Sequence, residues 1–140
     1  MATVNRSGRN FHLLAMSNMS AEGNASTTIE LVSDALAGLW IYLSTKTKYE
    51  EEIAVPLLGT GAGRIRNSRE EITRLIIDSF IVSAGESRCC DKLTIVIRES
   101  DFYKHEISLP ELQKYLVHVC KYHVGRSPNP SAGAGNPLFN

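Results

Sequence analysis

The chain has 140 residues, with equal numbers of basic (15) and acidic (15) side chains and 43% hydrophobic residues. These values predict one soluble globular domain and exclude a disordered or fibrous chain. A net charge of zero argues against nucleic acid as a partner, and no apolar run approaches the roughly 20 residues that a membrane-spanning helix needs.

The chain also lacks the marks of a secreted or metal-binding protein. Its amino terminus has no secretory signal, and its three cysteines, Cys89, Cys90 and Cys120, are odd in number. Adjacent cysteines do not readily pair with each other, and neither the cysteines nor the four histidines have the spacing of metal ligands. We therefore expect a cytoplasmic setting and no metal site.

The first half of the chain predicts a strand and a helix. Residues 10–17 (NFHLLAMS) are typical of a strand, with Thr3 and Val4 as its hairpin partner. Thr27-Thr28-Ile29-Glu30 has the form of a capping box. The helix that it opens carries one apolar stripe: Ile29, Val32, Leu36, Leu39, Trp40 and Leu43. Residues 50–52, three glutamates, predict a solvated turn.

The second half continues this alternation. Residues 53–58 (IAVPLL) are apolar on both faces, as in a central strand covered by helices, and residues 93–97 (LTIVI) predict a second buried strand. A capping box at Ser68-Arg69-Glu70-Glu71 opens a helix with the stripe Ile72, Leu75, Ile76, Ser79 and Phe80. A third box at Ser108-Leu109-Pro110-Glu111 opens a helix predicted to bury Leu109, Leu112, Leu116, Val119 and Cys120.

This order predicts an α/β fold with a mainly parallel or mixed sheet over residues 1–124. Residues 125–140 are rich in proline and glycine without a period, which predicts a flexible tail. Ligands of such folds bind beyond the carboxyl ends of the strands, which here means residues 17–25, 59–66 and 98–104.

The glycine loop is the segment Gly59-Thr60-Gly61-Ala62-Gly63-Arg64, directly after the apolar strand. Alternate glycines allow consecutive backbone N–H groups to approach an anion such as a diphosphate, with Arg64 or Arg66 adding charge. The alternative is a strand-to-helix turn that needs glycine only for its geometry. The spacing fits neither a Walker loop, which requires a lysine, nor the GxGxxG dinucleotide motif.

IAVPLLGTGAGRI followed by a capped helix and then LTIVIRESDFY resembles the second half of a macro domain, the ADP-ribose-binding three-layer α/β/α fold. The resemblance covers roughly residues 11–116. The NFHLLAMS strand, the Asn24-Ala25 loop and the tryptophan-containing helix make the resemblance more specific. With these features the chain is similar to the macro-like domains of bacterial TIR anti-phage systems of the Thoeris kind.

The resemblance implies the residues of a nucleotide site. The glycine loop of a macro domain wraps the diphosphate and the distal ribose, and an aromatic residue after the last strand contacts the adenine. The implied ligand-binding residues are Ser17, Asn24, Gly59, Thr60, Gly61, Ala62, Gly63, Arg64, Asp101 and Phe102, with Tyr103 as the alternative to Phe102. Phe102 also stands in a polar context, where a stacking role is more expected than a core role.

The chain departs from the macro pattern at its start. The usual first strand with an adenine-reading Asp, and the Asn-rich loop that contacts the distal ribose, have no counterpart before Phe11. Either the chain is the carboxyl-terminal portion of a longer domain, or other groups supply these contacts. Because hydrolytic macro domains depend partly on that loop, this departure weakens the expectation of hydrolysis more than that of binding.

The resemblance therefore implies a binding module or sensor for ADP-ribose, or for an NAD-derived conjugate made by a TIR enzyme, with no cofactor. The alternative is an ADP-ribosyl hydrolase or ADP-ribose phosphatase that uses the same cleft, with a water held by Thr60 or Asp101. A third hypothesis is a purely structural or oligomerising domain. A TIR-domain protein is the implied partner, acting through the ligand, and the parent protein's membrane anchoring and oligomeric state stay open.

Overall fold

A computed structural model describes residues 1–45, 50–61, 63–104 and 107–124. Ala62 of the glycine loop and the predicted tail at residues 125–140 lie outside the described residues. The elements in chain order are β1 (Ala2–Arg6), β2 (Arg9–Leu13), β3 (Asn18–Met19), β4 (Ala25–Ser26), α1 (Ile29–Thr45), β5 (Glu50–Pro56), α2 (Arg69–Glu86), β6 (Cys90–Val96), α3 (Glu99–Lys104) and α4 (Leu109–Val124). The predicted α/β class is confirmed.

The parallel pair β5 and β6 carries the functional region. Ile53 lies beside Leu93 and Val55 beside Ile95, and Ile53 and Val55 are buried against the helices. Ala54 and Pro56, on the opposite face of β5, are exposed. The prediction that this strand is covered on both faces is therefore wrong for the described residues, because alternate side chains of a strand point to opposite faces and one face of β5 is open.

The predicted turn at residues 50–52 is also wrong, since these residues belong to β5. The Glu52 carboxylate accepts from Lys92 Nζ at 2.9 Å and from Thr94 Oγ1 at 2.6 Å, both on β6. These contacts lower the pKa of Glu52, with the Thr94 hydrogen bond as the largest cause. Cross-strand pairing thus extends the strand through residues whose charge suggests a turn.

Helices α1 and α2 form the core with the inner face of the sheet. Val32, Leu36, Leu39, Trp40 and Leu43 are buried, as their spacing predicts. The Trp40 indole N–H donates to Ser79 Oγ on α2 at 3.1 Å. The capping box of α2 is confirmed, because Glu71 N donates to Ser68 Oγ at 3.1 Å and Ser68 N donates to Glu71 Oε2 at 2.7 Å.

The cap of α1 lies one residue later than predicted. Leu31 N donates to Thr28 Oγ1 at 3.4 Å, so Thr28 rather than Thr27 caps the helix. Thr27 is buried and its hydroxyl pairs with Ser17 Oγ. The sequence pattern does not separate two adjacent threonines, since either can cap a helix.

Helix α4 begins as predicted, with Glu111 N donating to Ser108 Oγ at 3.4 Å, but its inward face is different. Leu112 is buried, whereas Leu109, Leu116 and Cys120 are exposed. The predicted stripe is therefore wrong for these three residues. Tyr115 instead turns toward α2, where its hydroxyl donates to the Asp78 carboxylate at 2.5 and 2.6 Å.

The contact between Tyr115 and Asp78 supplies a testable prediction. We expect Tyr115→Phe to lower the free energy of unfolding by about 1 to 2 kcal/mol, because it removes a hydrogen bond to a carboxylate at a partly exposed site. The ring stays, and with it the stacking of the Arg74 guanidinium 4.6 Å from the ring centroid. Urea denaturation measures the effect. Tyr122→Phe is the control on the same helix, since Tyr122 is exposed, and an equal loss in both variants would contradict the prediction.

The same contact predicts a pH dependence. Burial and the neighbouring Asp78 raise the pKa of Tyr115 from 10.0 to about 12. The unfolded phenol then ionises before the folded one, so this contribution is complete below pH 10 and is lost as the pH rises toward 12. The stability difference between wild type and Tyr115→Phe should shrink over that interval, as measured by denaturation at stepwise pH.

The cysteines differ in exposure, and this predicts their reactivity. Cys89 and Cys90 are buried and Cys120 is exposed. Burial raises the pKa of the Cys90 thiol. We expect the Cys120 thiol to react with an aromatic disulfide reagent at least about 100-fold faster than the Cys89 and Cys90 thiols, because the buried thiols react only after the fold opens locally. Cys120→Ser should remove the fast phase, and a fast phase that persists would contradict the assignment.

The amino-terminal strands are separate from the parallel pair. β1 and β2 form an antiparallel hairpin with Thr3 beside His12 and Val4 beside Phe11, which confirms the predicted pairing. The second strand is shorter than predicted and ends at Leu13. Two side-chain hydrogen bonds join the hairpin to α1 and β5: Thr3 Oγ1 lies 3.0 Å from Tyr42 Oη, and Asn10 Nδ2 donates to Glu50 Oε1 at 2.7 Å. Within the described residues, no helix has the length and apolar character that crossing a membrane requires.

Candidate functional site

The glycine loop lies where the carboxyl ends of β5 and β6 meet. Parallel strands end at the same edge of the sheet, so the segments that follow them are neighbours. Buried Leu58 and Ile65 anchor the loop on either side. Arg64 N donates to the Gly61 carbonyl and Ile65 N to the Gly59 carbonyl, each at 3.1 Å. These bonds close a tight turn between the strand and α2.

The three glycines of the loop differ in whether, and why, the structure requires glycine at each position. Gly59 has a φ of +73°, a left-handed conformation that strains other residues. A Cβ on Gly63 would collide with Thr27 Oγ1 and lie 3.1 Å from Thr27 Cβ. A Cβ on Gly61 would meet no described atom within 4 Å, and its φ is outside the left-handed region. Backbone conformation and packing therefore account for Gly59 and Gly63, but not for Gly61.

Thr27 joins the start of α1 to the loop. Its N–H donates to the Gly63 carbonyl at 2.8 Å, and its hydroxyl lies 2.5 Å from Ser17 Oγ. Ser17, predicted as a site residue, is thereby brought beside the loop. Sequence reasoning missed Thr27 because it assigned this residue to the helix cap.

Arg69 joins the loop to the segment that follows β6. Its Nη2 donates to the Thr60 carbonyl at 3.2 Å, and its Nε lies 3.5 Å from Asp101 Oδ1. Arg98 Nε lies 3.5 Å from the other carboxylate oxygen. Asp101 is only 2% exposed, so its carboxylate is enclosed between two guanidinium groups. Arg69 was also missed, because the sequence pattern identifies it only as the second residue of a capping box.

The predicted aromatic segment is helical. Residues 99–104 form α3, in which Phe102 is half-buried and packs against the core cluster, whereas Tyr103 is 79% exposed. The Phe102 ring is therefore partly a core group rather than the free stacking surface that the sequence context suggests. Tyr103, the predicted alternative, has the more accessible ring.

Asn24 lies apart from these contacts. It closes the turn between β3 and β4, where its N–H donates to Ser20 Oγ at 3.2 Å and its carbonyl accepts from Ser20 N at 2.9 Å. Among the described residues, no hydrogen bond or ion pair links Asn24 to the glycine loop. Arg64 is exposed at the loop, with a φ of +50°.

The groups gathered at this edge suit an anion rather than a metal. They are backbone amides, the Ser17, Thr27 and Thr60 hydroxyls and the arginine side chains. Thr60 Oγ1 donates to the Leu57 carbonyl at 2.8 Å, and Asp101 is paired with arginines. Across the described part of the chain, no three His, Cys, Asp or Glu side chains form a group that could hold a metal ion.

Comparison with models of known protein families shows the family of the chain. The family model of the macro domain of the Thoeris protein ThsA matches residues 1–98, which is 98 of the 140 residues. The matched region includes the hairpin, the glycine loop, α2 and both parallel strands. A search of the curated proteins finds no match.

Proposed function

The chain belongs to the family of Thoeris ThsA macro domains, and from this premise we propose that it binds ADP-ribose or an NAD-derived conjugate of ADP-ribose as a sensor in anti-phage defence. The open space at Gly61, in a glycine loop at the carboxyl end of a parallel strand, carries the proposal. A TIR-domain enzyme is the proposed source of the ligand, and the cytoplasm the proposed compartment.

The proposed site has two parts. The diphosphate binds the glycine-loop amides, with Arg64 supplying charge and Ser17 a hydroxyl next to Thr27. The adenine stacks on an α3 aromatic ring, either that of the half-buried Phe102 or that of the exposed Tyr103. The proposed ligand-binding residues are those predicted from the sequence: Ser17, Asn24, Gly59, Thr60, Gly61, Ala62, Gly63, Arg64, Asp101 and Phe102.

Binding is favoured over hydrolysis by the state of the two groups proposed to hold a water. The Thr60 hydroxyl donates to a backbone carbonyl, and the buried Asp101 carboxylate is held by Arg69 and Arg98. A carboxylate that acts as a general base must lie within hydrogen-bond reach of the water that it deprotonates. We therefore propose that Asp101 contributes to ligand binding through the arginines that it holds, and not as a general base. Turnover of an ADP-ribose phosphate ester would overturn this assignment.

Isothermal titration calorimetry and thermal shift test the proposal. Ligand at 100 times its Kd should stabilise the fold by about 2.7 kcal/mol, which raises the melting temperature by several degrees in a domain of this size. ADP-ribose and the products of a TIR enzyme acting on NAD are the probes, and AMP, which lacks the diphosphate and the distal ribose, is the control. Neither heat nor a thermal shift at millimolar concentration would contradict the proposal.

A further inference from the structure

We propose that Arg69 is a positioning residue that fixes the direction of the Gly61 backbone N–H. We call its two contacts, with the Thr60 carbonyl and with Asp101, the Arg69 bridge. The part of the inference that concerns ligand affinity rests on the proposed function, whereas the part that concerns loop order does not.

The peptide plane gives the physical reason. The carbonyl of Thr60 and the N–H of Gly61 belong to one planar peptide group, and in a trans peptide they point in opposite directions. The bond from Arg69 Nη2 to the Thr60 oxygen therefore turns the Gly61 N–H away from Arg69. Gly61 has no Cβ, so rotation of this peptide is otherwise little restricted.

Helices α2 and α3 hold the Arg69 guanidinium in place. Arg69 is the first residue of α2, directly after the Ser68 cap, and its carbonyl accepts from Thr73 Oγ1 at 2.8 Å. Its side chain is 15% exposed and its Nε faces Asp101 at 3.5 Å. This distance is that of an ion pair rather than a hydrogen bond, and within the described residues Nε has no hydrogen-bond partner. Asp101 thus orients Arg69 by charge, and Nη2 is left to hold Thr60.

Arg98 offers a matched comparison, because it lies equally far from the same carboxylate. Its side chain is 65% exposed, and the contacts of the described residues give it no bond to the loop. Arg98→Gln removes one of the two cations that pair with Asp101, but it leaves the hydrogen bond from Arg69 to the Thr60 carbonyl intact. Arg69→Gln also removes one cation beside Asp101, and in addition it removes the charged donor to the Thr60 carbonyl. The two variants therefore separate the charge of Asp101 from the position of Thr60.

Amide hydrogen exchange of the unliganded protein tests the bridge. Arg69→Gln should speed exchange in a peptide spanning the glycine loop by about tenfold, the equivalent of one charged hydrogen bond, with little change elsewhere. Arg69→Lys should give an intermediate rate, because it keeps one cationic donor, and it decides the question if Arg69→Gln does not fold. Arg98→Gln should leave the loop close to wild type. Unchanged exchange in the Arg69 variants, or equal acceleration by Arg98→Gln, would overturn the inference.

Calorimetry with ADP-ribose tests the consequence for binding. Arg69→Gln should raise Kd about tenfold, with partial recovery in Arg69→Lys. Arg74→Gln is the control on the same helix, since Arg74 pairs with Glu70 and stacks on Tyr115. Equal affinity in wild type and Arg69→Gln would overturn the link to binding. If wild type itself does not bind, the proposed function fails, while the exchange rates still decide whether Arg69 orders the loop.

Discussion

Replacing Gly61 with glutamate is expected to weaken ADP-ribose binding by at least about 100-fold, or about 2.7 kcal/mol, while the melting temperature stays within about 2 °C of wild type. The added carboxylate would stand where the diphosphate is proposed to lie, so its charge and its volume both oppose the ligand. The fold should tolerate it, because a Cβ at Gly61 meets no described atom within 4 Å and the backbone there is not left-handed.

Gly38→Glu is the matched control. Gly38 lies in α1, and a Cβ there also meets no described atom within 4 Å, so this variant adds the same charge on another element. It should bind ADP-ribose as wild type does. If Gly61→Glu bound ADP-ribose with wild-type affinity, the glycine loop would not be part of the binding site. A large loss of stability in Gly61→Ala, with ligand response unchanged, would instead favour the hypothesis of a purely structural domain.

Replacing Gly63 with alanine is expected to lower the free energy of unfolding by about 1 to 3 kcal/mol, the usual cost of an added methyl group in a packed site. The new Cβ would collide with Thr27 Oγ1 and lie 3.3 Å from the Gly59 carbonyl oxygen. Thr27 has little freedom to move, since it is buried, β-branched and bonded through its N–H to Gly63. Chemical denaturation measures the loss.

A double-mutant cycle with Thr27→Ala isolates this contact. Thr27→Ala removes the hydroxyl that crowds Gly63, so the double variant should be more stable than the sum of the single effects predicts by about 1 kcal/mol or more. Gly61→Ala is the comparison within the loop and should cost less than about 0.5 kcal/mol. Additive effects, or equal losses at Gly61 and Gly63, would show that Thr27 does not set the requirement for glycine.

The sequence-based predictions succeeded where one short segment contains the whole cause. The Ser68 capping box depends on residues three apart, and the α1 stripe depends on helical spacing alone, and both are confirmed. On α4 the same spacing argument was wrong for Leu109, Leu116 and Cys120. An apolar stripe shows which residues share a face, but the neighbouring helix decides which face is buried, and here Tyr115 meets Asp78 instead.

The sequence by itself determined the α/β class, the hairpin pairing and the glycine loop after a strand, because these follow from local propensity, spacing and backbone freedom. The tertiary structure alone decided which residues surround that loop. Thr27, Arg69 and Asp101 are distant in sequence, and parallel pairing of β5 and β6 brings the latter two together at one sheet edge. The different reasons for Gly61 and Gly63 also depend on atoms from other elements, which no local pattern contains.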